Sequence, residues 1–319
     1  MKKKVVFVGL SGGVDSAVSA ALLKKEGYEV VGVFIKTWHP DFIECNEEEE
    51  RRDAMRVAAH LGIPFLTFDL EVVYKKEVAD YMIREYKAGR TPNPDVMCNK
   101  EVKFGAFLRK ALAMGADYVA TGHYAQNKNF SLVKGVDSSK DQSYFLWTLK
   151  REQISKILFP IGRLEKSEVR KLAKKWKLPV AAKKDSQGIC FLGPVDLKEF
   201  LKHYIKEKKG KVVNTEGNKD IKKNILVVSQ KSLEISHKSD MWEPTCLTCG
   251  KINWISEIPK PDKKYTAQIR YHGELLLCKV VCATSDVAQV TFEKPIMVAP
   301  GQSIVVYDGD ICLGGGVVE

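Results

Sequence analysis

No apolar run in this sequence approaches the roughly 20 residues needed to cross a bilayer, so a membrane-spanning role is not expected. The opening "MKKKVVFVGLSGG" is basic but reaches glycine too soon for a secretion signal, and a cytoplasmic location is the expectation. There is no internal repeat and no low-complexity linker, only a lysine-rich hinge near residues 206–223. The eight cysteines (45, 98, 190, 246, 249, 278, 282 and 312) are too sparse for a small secreted disulfide scaffold, which leaves them as thiols, ligands or catalysts. Two phosphate-binding signatures are also missing: the Walker ending Gly-Lys-Ser/Thr and the dinucleotide GxGxxG.

What is present is a chain of 319 residues, 45% hydrophobic, long enough for two or three domains. Lys and Arg total 51 against 40 Asp and Glu, a net charge of +11, and that excess favours a polyanionic partner such as nucleic acid.

From Lys3 to about Leu149, short β-branched runs alternate with helical patterns. "KVVFVGL", "EVVGVFIKTW", "PFLTFDL" and "ADYVATGHYA" read as strands, while "AVSAALLKKEG", "EEERRDAMRVAAHLG", "VYKKEVADYMIREYKAG" and "VKFGAFLRKALAMG" read as helices. Such alternation predicts an α/β fold with a doubly wound parallel sheet, whose ligands lie at the carboxyl ends of the strands. Residues 150–206 form a basic helical extension to this domain, including "KSEVRKLAKKWKL". A shortened middle segment, 207–255, follows. A small all-β barrel is predicted over 256–319, where "KYTAQIRYHGELLLCKVV", "AQVTFEKP" and "SIVVYDGDICLGGGVV" alternate like strands.

The stretch "GLSGGVDSAVSAALLKKEG" (9–27) joins the first strand to the first helix. Glycines there permit close approach of a ligand to the backbone, and the helix start offers unpaired N–H groups to phosphate. Ser11 and Ser16 add hydroxyls. "SGGVDS" resembles the pyrophosphate loop of the N-type ATP pyrophosphatases. That resemblance implies that Gly9, Leu10, Ser11, Gly12, Gly13, Val14, Asp15 and Ser16 embrace the phosphates of ATP, that Mg2+ lies near Asp15, and that Ile35 and Gly122 border the adenine.

Two further stretches each carry one cysteine: "RTPNPDVMCNKEVKFG" (90–105), with Cys98 before a helix, and "KKDSQGICFLG" (183–193), with Cys190 in a turn beside lysines. Nearness to a helix start and to Lys100 and Lys103 predicts a partly ionised Cys98, with a buried structural thiol as the alternative for either cysteine. Together with "ADYVATGHYA", "KDQSYFL", "FPIGRLEKSEVRKLA" and "PGQSIVVYDGDICLGGGVV", the three stretches resemble the bacterial and mitochondrial tRNA-specific 2-thiouridylases, over residues 3–213 and again from about Asn253 to the end.

The resemblance implies ATP-dependent 2-thiolation of the wobble uridine of tRNA. The uracil 2-carbonyl oxygen would be adenylated, sulfur would come from a cysteine persulfide, and AMP and pyrophosphate would be released. Cys190 would carry the persulfide, Cys98 would be the partner thiol that ends disulfide-linked to it, and Asp95 would act beside them. Asn93, Pro94 and Asp95 would hold the target base, while His123, Lys140, Asp141, Gln142, Arg270, Tyr271 and Gln302 would contact tRNA. The implied partners are the tRNAs for Lys, Glu and Gln and a cysteine desulfurase or sulfur-relay protein; the chain is expected to be a monomer. Other thiolases of the same ATPase group, or an RNA-binding homologue without turnover, are the alternative functions.

One departure stands out. Family members carry a stretch like "HYYTIGQRKGLGIGG" where this chain passes from "EGNKDIKK" directly to "NILVVSQ", which predicts a loss of roughly thirty family residues in this region. Nearby, "CLTC" and the later Cys278 and Cys282 offer four thiols, but a structural zinc is not expected, because "LLLCKVVCA" reads as a strand rather than a knuckle turn.

Overall fold

The computed structural model describes residues 3–43, 46–185, 188, 190, 196–206 and 245–319. Cys45 and the run "NILVVSQ" lie outside the described residues. Strands β1 (Val5–Gly9), β2 (Glu29–Lys36), β3 (Phe65–Asp69) and β4 (Tyr118–Ala120) alternate with helices; a hairpin of β5 (Ala125–Lys128) and β6 (Ser131–Lys134) follows, and then β7 (Ile157–Leu158). Five of these form a parallel sheet in the order β3-β2-β1-β4-β7. The chain steps outward from β1 to β3 and then returns to the other side of β1 with β4. The crevice between the carboxyl ends of β1 and β4, where Val8 pairs with Ala120, is therefore the switch point at which such sheets bind ligands.

Alternation within β1 shows why both faces are covered. Val6 and Val8 join one core with helix α1 (Val14–Lys25), helix α2 (Glu47–Leu61) and Val169 and Ala173 of the helix Lys166–Lys175. Phe7 joins the other core, with Phe68, Val102, Phe104 and Phe107. Each such buried side chain contributes about 1.5–3 kcal/mol. Gly27 and Gly62, both at positive φ, end the first two helices where the sequence predicts. The helical run over 94–113 contains a π-helical stretch, Cys98–Phe107.

The second sheet is antiparallel. Besides the β5–β6 hairpin, its strands are β8 (Cys246–Trp254), β9 (Tyr265–Gln268), β10 (Leu276–Cys282), β11 (Ala288–Phe292), β12 (Ser303–Asp308) and β13 (Ile311–Val318). They run β12-β9-β10-β11-β8-β13, and β13 pairs again with β12, so the six close into a barrel without free edges. Leu247, Val280, Val290, Ile304 and Val306 fill it.

Three differences from the sequence reading follow. "ADYVATGHYA" is not one strand: β4 stops at Ala120, and Ala125 opens a hairpin that joins the barrel, with Ile311 opposite Val133. The barrel begins before residue 256, because Cys246–Trp254 pairs with both β11 and β13. In that strand Cys246 is exposed and Cys249 buried, on opposite faces, so the "CLTC" pair does not present two thiols to one point.

Candidate active site

The loop after β1 leads into α1 with Gly13 at its N-cap and no side-chain cap hydrogen bond, which leaves the helix start to backbone donors. Ser16 ties the loop into a ring: its hydroxyl accepts from Ser11 N at 3.2 Å and donates to the Gly13 carbonyl at 3.1 Å. Gly12 has φ +73°, and a Cβ there would lie 2.5 Å from the Glu50 carbonyl oxygen. The glycine is thus demanded by α2 pressing on the loop, a reason that lies in the fold itself and was not visible in the sequence. At Gly122 a Cβ would stand 2.7 Å from Ser16 N, which sets the chain after β4 directly on the phosphate loop. Leu10, Val14 and Ile35 are buried, and the last lies in register with Phe68 at the end of β2. Uncapped amides, two serine hydroxyls and a cation at Asp15 form a donor set that suits a polyphosphate.

That cation is Lys166, whose Nζ lies 2.8 Å from both carboxylate oxygens of Asp15, while the Tyr124 hydroxyl donates to Oδ1 at 2.9 Å. Lys166 also pairs with Asp185 at 2.8 Å, as do Lys140 at 3.2 Å and Arg170. Lys183 reaches Asp53 of α2 at 2.8 Å. These ion pairs lead from the phosphate loop to the segment that carries Cys190.

The two sulfurs meet. Cys98 Sγ donates to Cys190 Sγ at 3.5 Å, a contact between separate thiols that lie a short approach from the roughly 2.05 Å of a disulfide bond. The Cys190 turn is held at both ends of its peptide unit: Cys190 N donates to Asp95 Oδ1 at 2.9 Å, and its carbonyl accepts from the Tyr74 hydroxyl at 2.7 Å. Asn93 caps the helix start by accepting from Val96 N at 3.2 Å, with Pro94 in the first turn, so the same turn aims Asp95 at Cys190.

The expected ionisation is reversed. Cys98 lies in the second helical turn, fully buried, and burial together with the hydrogen bond to Cys190 pushes its thiol well up. Cys190 is instead lowered to about 7, through the hydrogen bond from Cys98 and the charge of Lys103, against the opposing effect of burial. Burial also raises the Asp95 carboxyl, against the Cys190 N–H.

The remaining residues of interest divide into two groups. His123 is buried, with its Nδ1 2.7 Å from Thr121 Oγ1 and its ring against Phe104 and Phe159; burial and the Lys103 charge hold it well below the usual range. It faces the interior rather than the surface expected of a tRNA contact. Asp141 accepts from Gly135 N, Ser143 N and Ser143 Oγ, and Gln142 Oε1 accepts from Tyr124 N, so both brace loops. Arg270 is exposed, Gln302 half-buried, and Tyr271 packs on Phe145 with ring centroids 4.3 Å apart. Burial and the charges of Asp141 and Asp95 push the Tyr271 hydroxyl up to about 12, which places this barrel residue within electrostatic reach of the thiol site. The barrel is also pinned to the approach to Asn93, since Thr91 N donates to the Pro300 carbonyl at 2.8 Å. Tyr74, Lys166 and Asp185 were missed by sequence reasoning; no local pattern distinguishes them from ordinary surface or core residues.

Known proteins resemble this chain over both of its sheets. Residues 4–194 match the family described as tRNA methyl transferase HUP domain, and residues 244–318 match the aminomethyltransferase beta-barrel domain. The tRNA-specific 2-thiouridylase MnmA of Geobacillus thermodenitrificans (strain NG80-2) is 41% identical over 356 positions, covering 98% of this chain and 94% of that protein. The protein of the same name from Alkaliphilus oremlandii (strain OhILAs) is 41% identical over 360 positions, covering 100% and 98%. That of Thiobacillus denitrificans (strain ATCC 25259 / T1) is 40% identical over 358 positions, covering 98% and 99%. All three alignments are longer than the 319 residues of this chain, so each relative has positions without a counterpart here, as the missing stretch predicts.

Proposed function

The chain belongs to the tRNA-specific 2-thiouridylases, and from that premise we propose that it replaces the 2-carbonyl oxygen of the wobble uridine of tRNA with sulfur at the Cys98–Cys190 site. The observation that carries this reading is the 3.5 Å contact between two thiols 92 residues apart in sequence.

A carbonyl oxygen is a poor leaving group; residues 9–16 would hold ATP, with Asp15 available to its Mg2+, and ATP would supply the activation. The chain's own groups do the rest. Cys190 carries the sulfane sulfur as a persulfide, and that sulfur bonds to C2 of the base as the activated C2–O bond breaks and AMP departs with the oxygen. Cys98 then attacks Cys190 Sγ; the bond between Cys190 and the transferred sulfur breaks, its electron pair stays on the thiolated base, and a Cys98–Cys190 disulfide remains for a dithiol reductant to open. Asp95 and Tyr74 hold the Cys190 peptide unit while this happens. A base must leave its stack to reach such a site, which suits a single-stranded anticodon loop.

Asn93, Pro94 and Asp95 are assigned to the target base. Lys140, Arg270, Tyr271 and Gln302 are assigned to tRNA. The substrates are the tRNAs for Lys, Glu and Gln, sulfur comes from a cysteine desulfurase or relay protein, and the enzyme works as a cytoplasmic monomer. Among the described residues no helix is long and apolar enough to cross a membrane.

The test is mass spectrometry of tRNA after incubation with the protein, Mg-ATP and a persulfide donor. Wild type should yield 2-thiouridine at the first anticodon position, and Cys98→Ser and Cys190→Ser should yield none. Full activity in either variant would remove the two-thiol mechanism.

A further inference from the structure

Two thiols in contact do not share a negative charge equally, and the order of sulfur chemistry depends on which of them holds it. Within the helical run over 94–113, Cys98 and Lys103 both fall in the π-helical stretch Cys98–Phe107. Turns closed by i to i+5 hydrogen bonds bring residues five apart closer to one face than an α-helix does. Lys103 is partly buried and its side chain hydrogen-bonds the Cys190 sulfur. Resting on the function proposed above, we propose that Lys103 sets the polarity of the pair: its ammonium is the counter-cation that keeps the negative charge on Cys190, while full burial leaves Cys98 protonated, so that Cys190 is the thiol that receives sulfur.

The surroundings support one assignment. Burial works against a charged Lys103, but the attraction of Cys190, Cys98 and Asp95 more than offsets it, and the ammonium is held above its usual range. Asp95 is the opposing charge: its carboxylate accepts the Cys190 N–H and disfavours an anion on the sulfur. Tyr74 from the helical run over 71–87 donates to the Cys190 carbonyl. His123, from the chain after β4, is kept neutral by burial and by Lys103 itself, so it supplies no second cation. Cys98 donates its proton into the contact.

The step this serves balances without further reagents. The Cys190 thiolate attacks the outer sulfur of a donor protein persulfide, R–S–SH; a Cys190 S–S bond forms, the donor S–S bond breaks, and the donor leaves as R–S−. A protonated Cys98 does not compete for that sulfur.

The experiment follows alkylation by iodoacetamide against pH, resolved by cysteine through peptide mass spectrometry, in wild type, Lys103→Met and Lys103→Arg, without ATP or tRNA. Wild type should alkylate Cys190 first, with a midpoint near 7. Lys103→Met should raise that midpoint by about one unit or more, which leaves roughly tenfold less thiolate at neutral pH, while Lys103→Arg restores it. An unchanged midpoint in folded Lys103→Met, or earlier alkylation of Cys98 in wild type, overturns the proposal. Should Lys103→Met not fold, the ultraviolet thiolate titration of wild type against Cys190→Ser decides. Loss of the near-neutral step in Cys190→Ser is expected, and its survival would place the charge elsewhere and sink the assignment. Because no turnover is measured, failure here is distinct from failure of the thiolation reading.

Discussion

The Asp95 carboxylate accepts the backbone N–H of Cys190 at 2.9 Å, joining residues 95 positions apart. Asp95 is fixed by its place in the first turn of a helix that Asn93 caps, so this single bond transmits the position of that helix to the loop with the reactive sulfur. Hydrogen bonds to a charged group contribute about 1.5–3 kcal/mol. We expect Asp95→Ala to slow formation of the Cys98–Cys190 disulfide under a mild oxidant by about tenfold or more, whereas Asp95→Asn, which keeps an acceptor oxygen, stays near wild type. Non-reducing peptide mapping over time measures this without ATP or tRNA. Equal rates in wild type and Asp95→Ala would show that the bond does not hold the loop.

Gly122→Ala tests the contact between the chain after β4 and the phosphate loop. The new Cβ would lie 2.7 Å from Ser16 N and 2.9 Å from Asp15 C, both backbone atoms that cannot swing aside. Overpacking of this kind costs about 1–3 kcal/mol. ATP affinity, measured by calorimetry, should fall by more than tenfold, with a lower melting temperature. Unaltered ATP affinity would detach Gly122 from the nucleotide site.

Much of this was legible in the sequence, and the failures share a cause. Val6, Phe7 and Val8 announced a strand buried on both sides, and Gly27 and Gly62 announced helix ends, because each signal lies within a few residues of what it determines. The meeting of Cys98 and Cys190 could be expected only from resemblance to a family, since their spacing has no period. The ionisation of Cys98 came out reversed because local charge was visible while burial, created by distant side chains, was not. The hairpin over 125–134 was hidden for the same reason: its pairing partner, Ile311, is 178 positions from Val133 by their residue numbers. Strand β8 was obscured by its own cysteines, which drew attention to a metal reading instead of to the alternation in "CLTCGKINW".

The ion pairs at Asp185 predict an acid sensitivity with a definite sign. Burial alone would raise this carboxyl, but hydrogen bonds and charge from Lys166 and Lys140 outweigh it and hold the group at about 2 instead of 3.8. A carboxylate depressed in the folded state adds stability above its unfolded value, and that stability is lost as pH falls through the folded one. Wild type should therefore exceed Asp185→Asn in stability by a constant margin at neutral pH, and the margin should begin to shrink as pH drops below 3.8. Urea unfolding of both proteins from neutral pH to pH 3 measures it, with pH 3 chosen as roughly midway down the window. A margin that grows on acidification would contradict the pairing.

The barrel's part in substrate binding rests on two neighbouring residues of different character. Arg270 is exposed, free to meet phosphate, whereas Tyr271 lies on Phe145 and within reach of the Asp95 charge, at the border between the barrel and the thiol site. A phosphate contact acts on all tRNA sequences alike and depends on salt; a stacking contact near the base does neither. Arg270→Ala should weaken tRNA binding and reduce the slope of log affinity against log salt by about 1. Tyr271→Ala should leave that slope unchanged while weakening binding by about 1–3 kcal/mol, the usual range for lost base stacking. Filter binding across a salt series, with ATP affinity as a control that neither change should move, separates the two. If both variants bind tRNA as wild type does, the barrel has no direct hold on the substrate through these residues, and the excess of 51 basic over 40 acidic side chains must act elsewhere on the surface.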